Sequence, residues 1–155
     1  MPMARTKTQT LSLTRIFEAP VDLVWRCWTE KEHLDKWSAP KGFTIPRSQG
    51  DLRKGGKYHL VMRMPDGKEI GLGGEYREIV PHKLLVMTHI WDEDGIETVV
   101  TVRFEDLGKR TRMIFEQTGF DSEESRKGHA EGWTECFDIL DELLATLRTQ
   151  VGNDH

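Results

Sequence analysis

The side chains that could do chemistry in this chain are six histidines, two cysteines and a scatter of carboxylates. The histidines are His33, His59, His82, His89, His129 and His155. None pairs with another at a metal-ligand spacing, and no HExxH or clustered Cys/His motif occurs, so no metal site is expected. His89 sits in an apolar strand pattern and would face the interior only if it shares a side with Met87 and Trp91. Solvent exposure or a satisfied core hydrogen bond is the plainer expectation for it. Cys27 and Cys136 lie inside apolar helical patterns, which predicts buried free thiols rather than activated thiolates or a disulfide. There is no Gly-x-Ser-x-Gly elbow. Gly71-Leu72-Gly73-Gly74 is not followed by Lys-Ser/Thr and falls within a strand, so it predicts a bend or bulge and not a phosphate loop. Glu123 with Glu124, and Asp138 with Glu142, read as helix-start and solvent-face charges. No catalytic constellation and no cofactor are predicted. Two polar residues, Arg15 and Gln117, stand on strands among apolar neighbours and could orient a ligand. Gln117 does so if it shares a face with Met113 and Phe115, its buried amide then needing a partner; a bond to a neighbouring protein group is the alternative. For Arg15 a surface or ion-paired position is expected.

These residues need elements to hold them. Residues 9–18 alternate, with Leu11, Leu13 and Phe17 on one side, which predicts a strand with one wet face. Pro20 suits a helix start, and Val21, Val24, Trp25 and Trp28 recur at helical spacing. Thr29 with Glu32 reads as a capping box opening a second short helix that carries Leu34 and Trp37. Strands are predicted over 43–49, 55–64, 70–80, 83–91, 96–106 and 110–118, divided by turn signals such as Pro65-Asp66-Gly67. Connections this short imply antiparallel neighbours. A last helix is predicted over 122–149, capped by Asp121 or Ser122. It carries one apolar stripe of Trp133, Cys136, Phe137, Leu140, Leu143, Leu144 and Leu147, and the helix would run roughly 40 Å.

The fold class that follows is α+β in the order β-α-α-β6-α, a curved antiparallel sheet of about seven strands wrapped around the terminal helix. The 155 residues fit one domain, with a core over 9–149 and frayed ends at 1–8 and 150–155. A net charge of −4 gives no support to a nucleic-acid or anionic-membrane partner. No run approaches the roughly 20 apolar residues of a membrane span, and the polar start lacks a signal-peptide core, so a cytoplasmic location is expected.

A curled sheet and a straight helix can leave a gap between them. Its expected lining is Trp28, Trp37, Tyr58, Leu60, Met62, Tyr76, Met87, His89, Met113, Phe115, Gln117, Phe120, Trp133 and Phe137. The methionines among them fill irregular space and tolerate varied partners. The competing expectation for each of these is an ordinary core position.

Five segments carry a family resemblance: TRIFEAPVDLVWRCWTEKEHLDKW at 14–37, GGKYHLVMRMPDG at 55–67, GGEYREIVPHKLLVMTHIW at 73–91, TVRFEDLGKRTRMIFEQTGF at 101–120 and GWTECFDILDELL at 132–144. Over roughly residues 9–147 the chain resembles the START-like SRPBCC superfamily. Within it, the chain is most similar to the bacterial group related to the C-terminal domain of the activator of the heat-shock-protein-90 ATPase. The resemblance implies a helix-grip (START/Bet v-like) fold with a deep apolar cavity, in a superfamily whose members bind lipids, sterols or polyketides and include cyclases. It supplies no catalytic residues. Where the group often has a second aromatic after the position of Trp37, this chain has Ser38, implying a more open or polar mouth.

Three functions follow as expectations. The preferred one is binding of a small hydrophobic or aromatic ligand in the cavity. A cyclase- or hydrolase-type enzyme is the second, with His89 as the residue to test. A chaperone-linked interaction module is the third. It is suggested by the family's name, although in the eukaryotic activator a separate domain makes much of the chaperone contact. Oligomeric state stays open between a monomer and a weak homodimer through an exposed strand.

Overall fold

A computed structural model describes residues 9–153, with side chains through Gln150. The elements are β1 (Gln9–Phe17), α1 (Val21–Thr29), α2 (Lys31–Trp37), β2 (Thr44–Gly50), β3 (Lys57–Arg63), β4 (Glu69–Val80), β5 (Leu84–Trp91), β6 (Glu97–Asp106), β7 (Thr111–Phe120) and α3 (Glu123–Asn153). The seven strands form one sheet in the order β1-β7-β6-β5-β4-β3-β2, every neighbouring pair antiparallel. The meander β2 to β7 arises because each connection is a tight turn, and β1 closes the set against β7. This is the α+β order that the pattern implied, in the helix-grip arrangement that the resemblance implied.

Strand alternation decides which face the helix covers. On β7, Thr111, Met113, Phe115 and Gln117 are buried while Glu116 and Thr118 are exposed. Phe120 returns to the inside out of phase, because Gly119 takes φ +102° and the β1–β7 register shifts beside it, pairing Gln9 with Phe120 and Thr10 with Thr118. Glycine tolerates that φ where a side chain would be strained.

α3 has 31 residues, about 46 Å at ~1.5 Å each, and packs on β1, β7 and α2. Ser122 caps it, its Oγ accepting from Ser125 N–H at 3.0 Å. The helix continues through residues 150–153, past the end expected from the apolar stripe, while residues 1–8 and 154–155 lie outside the described residues. Thr29 does not open α2. It is the last residue of α1, and its hydroxyl donates to the Trp25 carbonyl at 2.9 Å, so α2 starts after Glu30 without a side-chain cap. Thr–carbonyl bonding within a helix competes with capping, and here it wins.

The core gathers in two clusters. The larger holds Leu11, Phe17, Val24, Val102, Phe104, Met113, Phe115, Phe120, Phe137, Leu140 and Leu144, where the C-terminal half of α3 meets β1, β7 and β6. The smaller holds Ala39, Met62 and Leu72, flanked by Phe43, Ile45, Leu60, Ile70 and Trp91. Trp37 ties the two short helices together, its Nε1–H donating to the Cys27 carbonyl at 2.8 Å and its ring meeting Trp28 edge-on at 4.7 Å.

Candidate ligand cavity

Between the two clusters the interior does not close. A cavity of about 430 Å³ lies under the N-terminal half of α3. At ~30 Å³ per water molecule it has room for about 14 waters, well beyond a packing defect. The reason is visible on the helix. Ser125, Gly128, Gly132 and Cys136 recur at three- and four-residue steps, in phase with the Phe137–Leu140–Leu144 stripe, and all four line the cavity. Apart from His129 and Trp133, which also line the cavity, the helix contributes only small side chains to this wall. A Cβ built on Gly128 meets no atom within 4 Å, and one on Gly132 meets only Pro40 Cγ at 4.0 Å.

The sheet side is supplied by every second residue of three strands: Tyr58, Leu60, Met62 and Met64 on β3 and the turn after it; Ile70, Leu72 and Tyr76 on β4; Met87, His89 and Trp91 on β5. Trp28, Leu34, Trp37, Ser38, Pro40 and Phe43 close one end. Gly74 lies between the wall residues Leu72 and Tyr76 on β4. A Cβ there would sit 2.0 Å from the Thr88 carbonyl oxygen, so no side chain fits. The β4–β5 ladder loosens at this point: Glu75 N–H donates to Thr88 Oγ1 at 2.8 Å, and the Thr88 carbonyl accepts from the Tyr58 hydroxyl at 2.5 Å. The register holds through the glycine run, where a bend or bulge was expected, and shifts only beyond it, between Tyr76 and Glu78.

Of the expected lining, Trp28, Trp37, Tyr58, Leu60, Met62, Tyr76, Met87, His89 and Trp133 stand at the cavity wall. Met113, Phe115, Gln117, Phe120 and Phe137 do not. They are fully buried on the filled side, under the bulky half of α3. Fourteen wall residues were not singled out from the sequence as lining, among them Leu34, Trp91, His129 and the small helix residues. The signal for the last group was a gap: positions 125, 128 and 132 fall on the stripe's phase without a large side chain.

Gln117 makes a different contribution from the ligand anchor weighed for it. Its Oε1 accepts the Trp133 indole N–H at 2.8 Å, and its Nε2–H donates to Thr98 Oγ1 at 2.9 Å. Thr98 in turn donates to the His89 carbonyl at 2.8 Å. This chain bolts the Trp133 ring to β5 and leaves the amide satisfied. Arg15 is remote from the cavity, ion-paired with Asp138 across β1 and α3 at 3.0 Å.

The histidines divide. His89 is buried in the wall, and neither plainer expectation holds for it: it is not solvent-exposed, and its Nδ1 has no hydrogen-bond partner among the described residues. Burial, and secondarily the neighbouring His129, hold its imidazole down at about 4, so it is neutral at pH 7. His129 is pinned. Its Nδ1 lies 2.7 Å from the Ser125 carbonyl, which can only accept, so that nitrogen carries the hydrogen and Nε2 accepts the Trp91 indole N–H at 2.9 Å. A second, far smaller hollow of about 10 Å³ also touches His89 and is lined in part by Asp94 and Asp121. His33 lies outside the cavity wall, and His59 Nε2 lies 2.8 Å from Asp92 Oδ2. Burial pushes the phenols of Tyr58 and Tyr76 up, and pushes the Cys27 and Cys136 thiols up to about 12. The wall includes no Asp, Glu, Lys or Arg. Elsewhere, Glu30, Glu32 and His33 bring ligand-type atoms within 4.8 Å of one another, with Glu32 exposed.

A family model described as "Activator of Hsp90 ATPase homolog 1-like protein" matches residues 18–145. The chain belongs to that family. Within the activator homologue family's fold, similar solved structures include a Chromobacterium violaceum protein at 26% identity, TM-score 0.82, covering 87% of this chain and 96% of that one. A Nitrosomonas europaea protein matches at 29% identity and TM-score 0.78, over 90% and 96% of the two chains. The AHSA1 protein from Silicibacter pomeroyi matches at 27% identity and TM-score 0.80, over 89% and 99%. No curated protein matches the chain's sequence. Among the described residues no helix is long and apolar enough to cross a membrane.

Proposed function

We propose that this protein binds a small, largely apolar molecule in the cavity beneath α3. The observation that carries the reading is the cavity itself: about 430 Å³, walled by aromatic and aliphatic side chains and roofed by a helix face on which Ser125, Gly128, Gly132 and Cys136 stand beside His129 and Trp133. Pockets of ~300–1,000 Å³ with apolar walls and few polar groups are the usual form of small-molecule sites. An unfilled hollow this large costs the fold packing energy, so an occupant would contribute stability. Catalysis has weaker support, because the wall offers no carboxylate or lysine and its one unpartnered imidazole is a poor base. The chaperone-linked role rests on the family name alone.

Four of the five tryptophans, Trp28, Trp37, Trp91 and Trp133, line the cavity, so intrinsic fluorescence reports its occupancy. A panel of apolar aromatic and aliphatic compounds should contain members that quench or shift that fluorescence and raise Tm together. Native mass spectrometry of freshly purified protein should show a retained small molecule or take one up from the same panel. A broad panel with no thermal shift and no fluorescence response would sink the reading.

A further inference from the structure

The cavity can be filled only by something its wall can pair with, and the wall is electrically bare. Its polar side chains are two serines, two tyrosines, two histidines and indole or thiol groups, with no charged residue among them. Most of these polar groups are already engaged: Tyr58 with Thr88, Ser38 with the Leu34 carbonyl, His129 with Ser125 and Trp91, Trp133 with Gln117. Among the wall's polar side chains, the Tyr76 and Ser125 hydroxyls and both ring nitrogens of His89 have no partner among the described residues; His89 Nδ1, like Trp28 Nε1, is sealed off by protein, so the imidazole nitrogen open to an occupant is Nε2. His89 is 6% exposed and Trp28 3%. Each such atom costs the fold unless something pairs with it.

Resting on the reading of the cavity as a binding site, we propose that its occupant is uncharged and carries a hydrogen-bonding oxygen that partners His89. The class is that of alkylphenols, alcohols and ketones, and it excludes carboxylates and ammonium ions. An anion would lose its hydration and gain no cation, because the imidazole stays neutral at physiological pH. An ammonium would find no carboxylate. A neutral imidazole has one donor and one acceptor, so it pairs equally with a phenol O–H or a carbonyl oxygen. Pure hydrocarbon fills the space but leaves the imidazole orphaned.

The test uses four compounds of matched shape at pH 7.5, 4-hexylphenol, hexylbenzene, 4-hexylbenzoate and 4-hexylbenzylammonium, titrated against tryptophan fluorescence and calorimetry. 4-Hexylphenol should bind most tightly, with both ions weaker by about 100-fold or more. Hexylbenzene should be weaker by about 10-fold. In His89→Phe the phenol should lose about that factor while hexylbenzene is unchanged, which also shows that the variant's cavity is intact. Benzoate binding as tightly as the phenol would put the polar end at the mouth and overturn the inference. So would a phenol that His89→Phe does not weaken. Failure of all four to bind would overturn the binding reading itself.

Discussion

Gly128 and Gly132 stand one turn apart inside a 31-residue helix, where each is about 0.8–1.0 kcal/mol less favourable than alanine. If they are present to keep the roof of the cavity thin, alanine should be tolerated at both. The ideal Cβ at Gly128 meets nothing within 4 Å, and at Gly132 the nearest atom is Pro40 Cγ at 4.0 Å, an ordinary contact. No steric term opposes the gain, so the double variant Gly128→Ala, Gly132→Ala should be more stable by about 2 kcal/mol. At ~2–4 °C per kcal/mol for a chain of this size, Tm should rise by about 4–8 °C. Urea and thermal unfolding followed by circular dichroism measure this directly. Gly132→Leu then goes further: its side chain projects toward the hollow, so it should leave the fold no less stable than wild type and weaken 4-hexylphenol by more than about 10-fold. Stability gained at the expense of binding is what a site held open against its own packing should show. Alanines that destabilise would mean the glycines serve some backbone need. A leucine that leaves binding untouched would mean the ligand sits elsewhere.

Other perturbations address the polar elements. The unfolded chain binds a proton at residue 89 near the ordinary 6.5 and the folded chain only at about 4, so stability should fall as pH drops from 6.5 toward 4. His89→Phe should remove about 2–3 kcal/mol of the difference between urea-unfolding free energies at pH 7 and pH 4.5; parallel losses in the two proteins would refute the burial argument. Gln117→Leu strands the Trp133 indole N–H and should cost about 1–3 kcal/mol while altering tryptophan emission; an unchanged spectrum would show that Trp133 needs no anchor. With both thiols pushed up to about 12, iodoacetamide at pH 8 should alkylate Cys27 and Cys136 about 10³-fold more slowly in native protein than in urea, by mass; rapid native labelling would contradict their burial.

The fold was legible because its signals are periodic and redundant. Alternation marked each strand, the turn residues marked each break, and the Trp133-to-Leu147 stripe marked the helix that must cover the sheet. Errors fell where two local rules compete. Thr29 and Glu32 have the spacing of a capping box, yet the Thr29 hydroxyl prefers the carbonyl one turn behind it. The helix outran its apolar stripe because propensity and capping, not burial, decide where an exposed end stops.

The cavity was harder to locate than the fold, for a physical reason. Large apolar residues announce that a surface is buried and are silent on whether the opposing surface reaches them. Met87 on β5 and Met113 on β7 read alike in sequence, yet Met113 lies on the side filled by Phe137 and Leu140, whereas Met87 looks toward a roof of Ser125, Gly128 and Gly132. What separates them is the size of residues far away in the chain and in phase on another element. The same holds for the polar pair. His89 and Gln117 both sit on interior faces, and only the position of Thr98, paired directly across from His89 and within reach of Gln117, decides which keeps an unmet bond. A hollow in this fold is thus written as missing side chains on the covering helix. Changing those few positions should resize or close it while the sheet stays as it is.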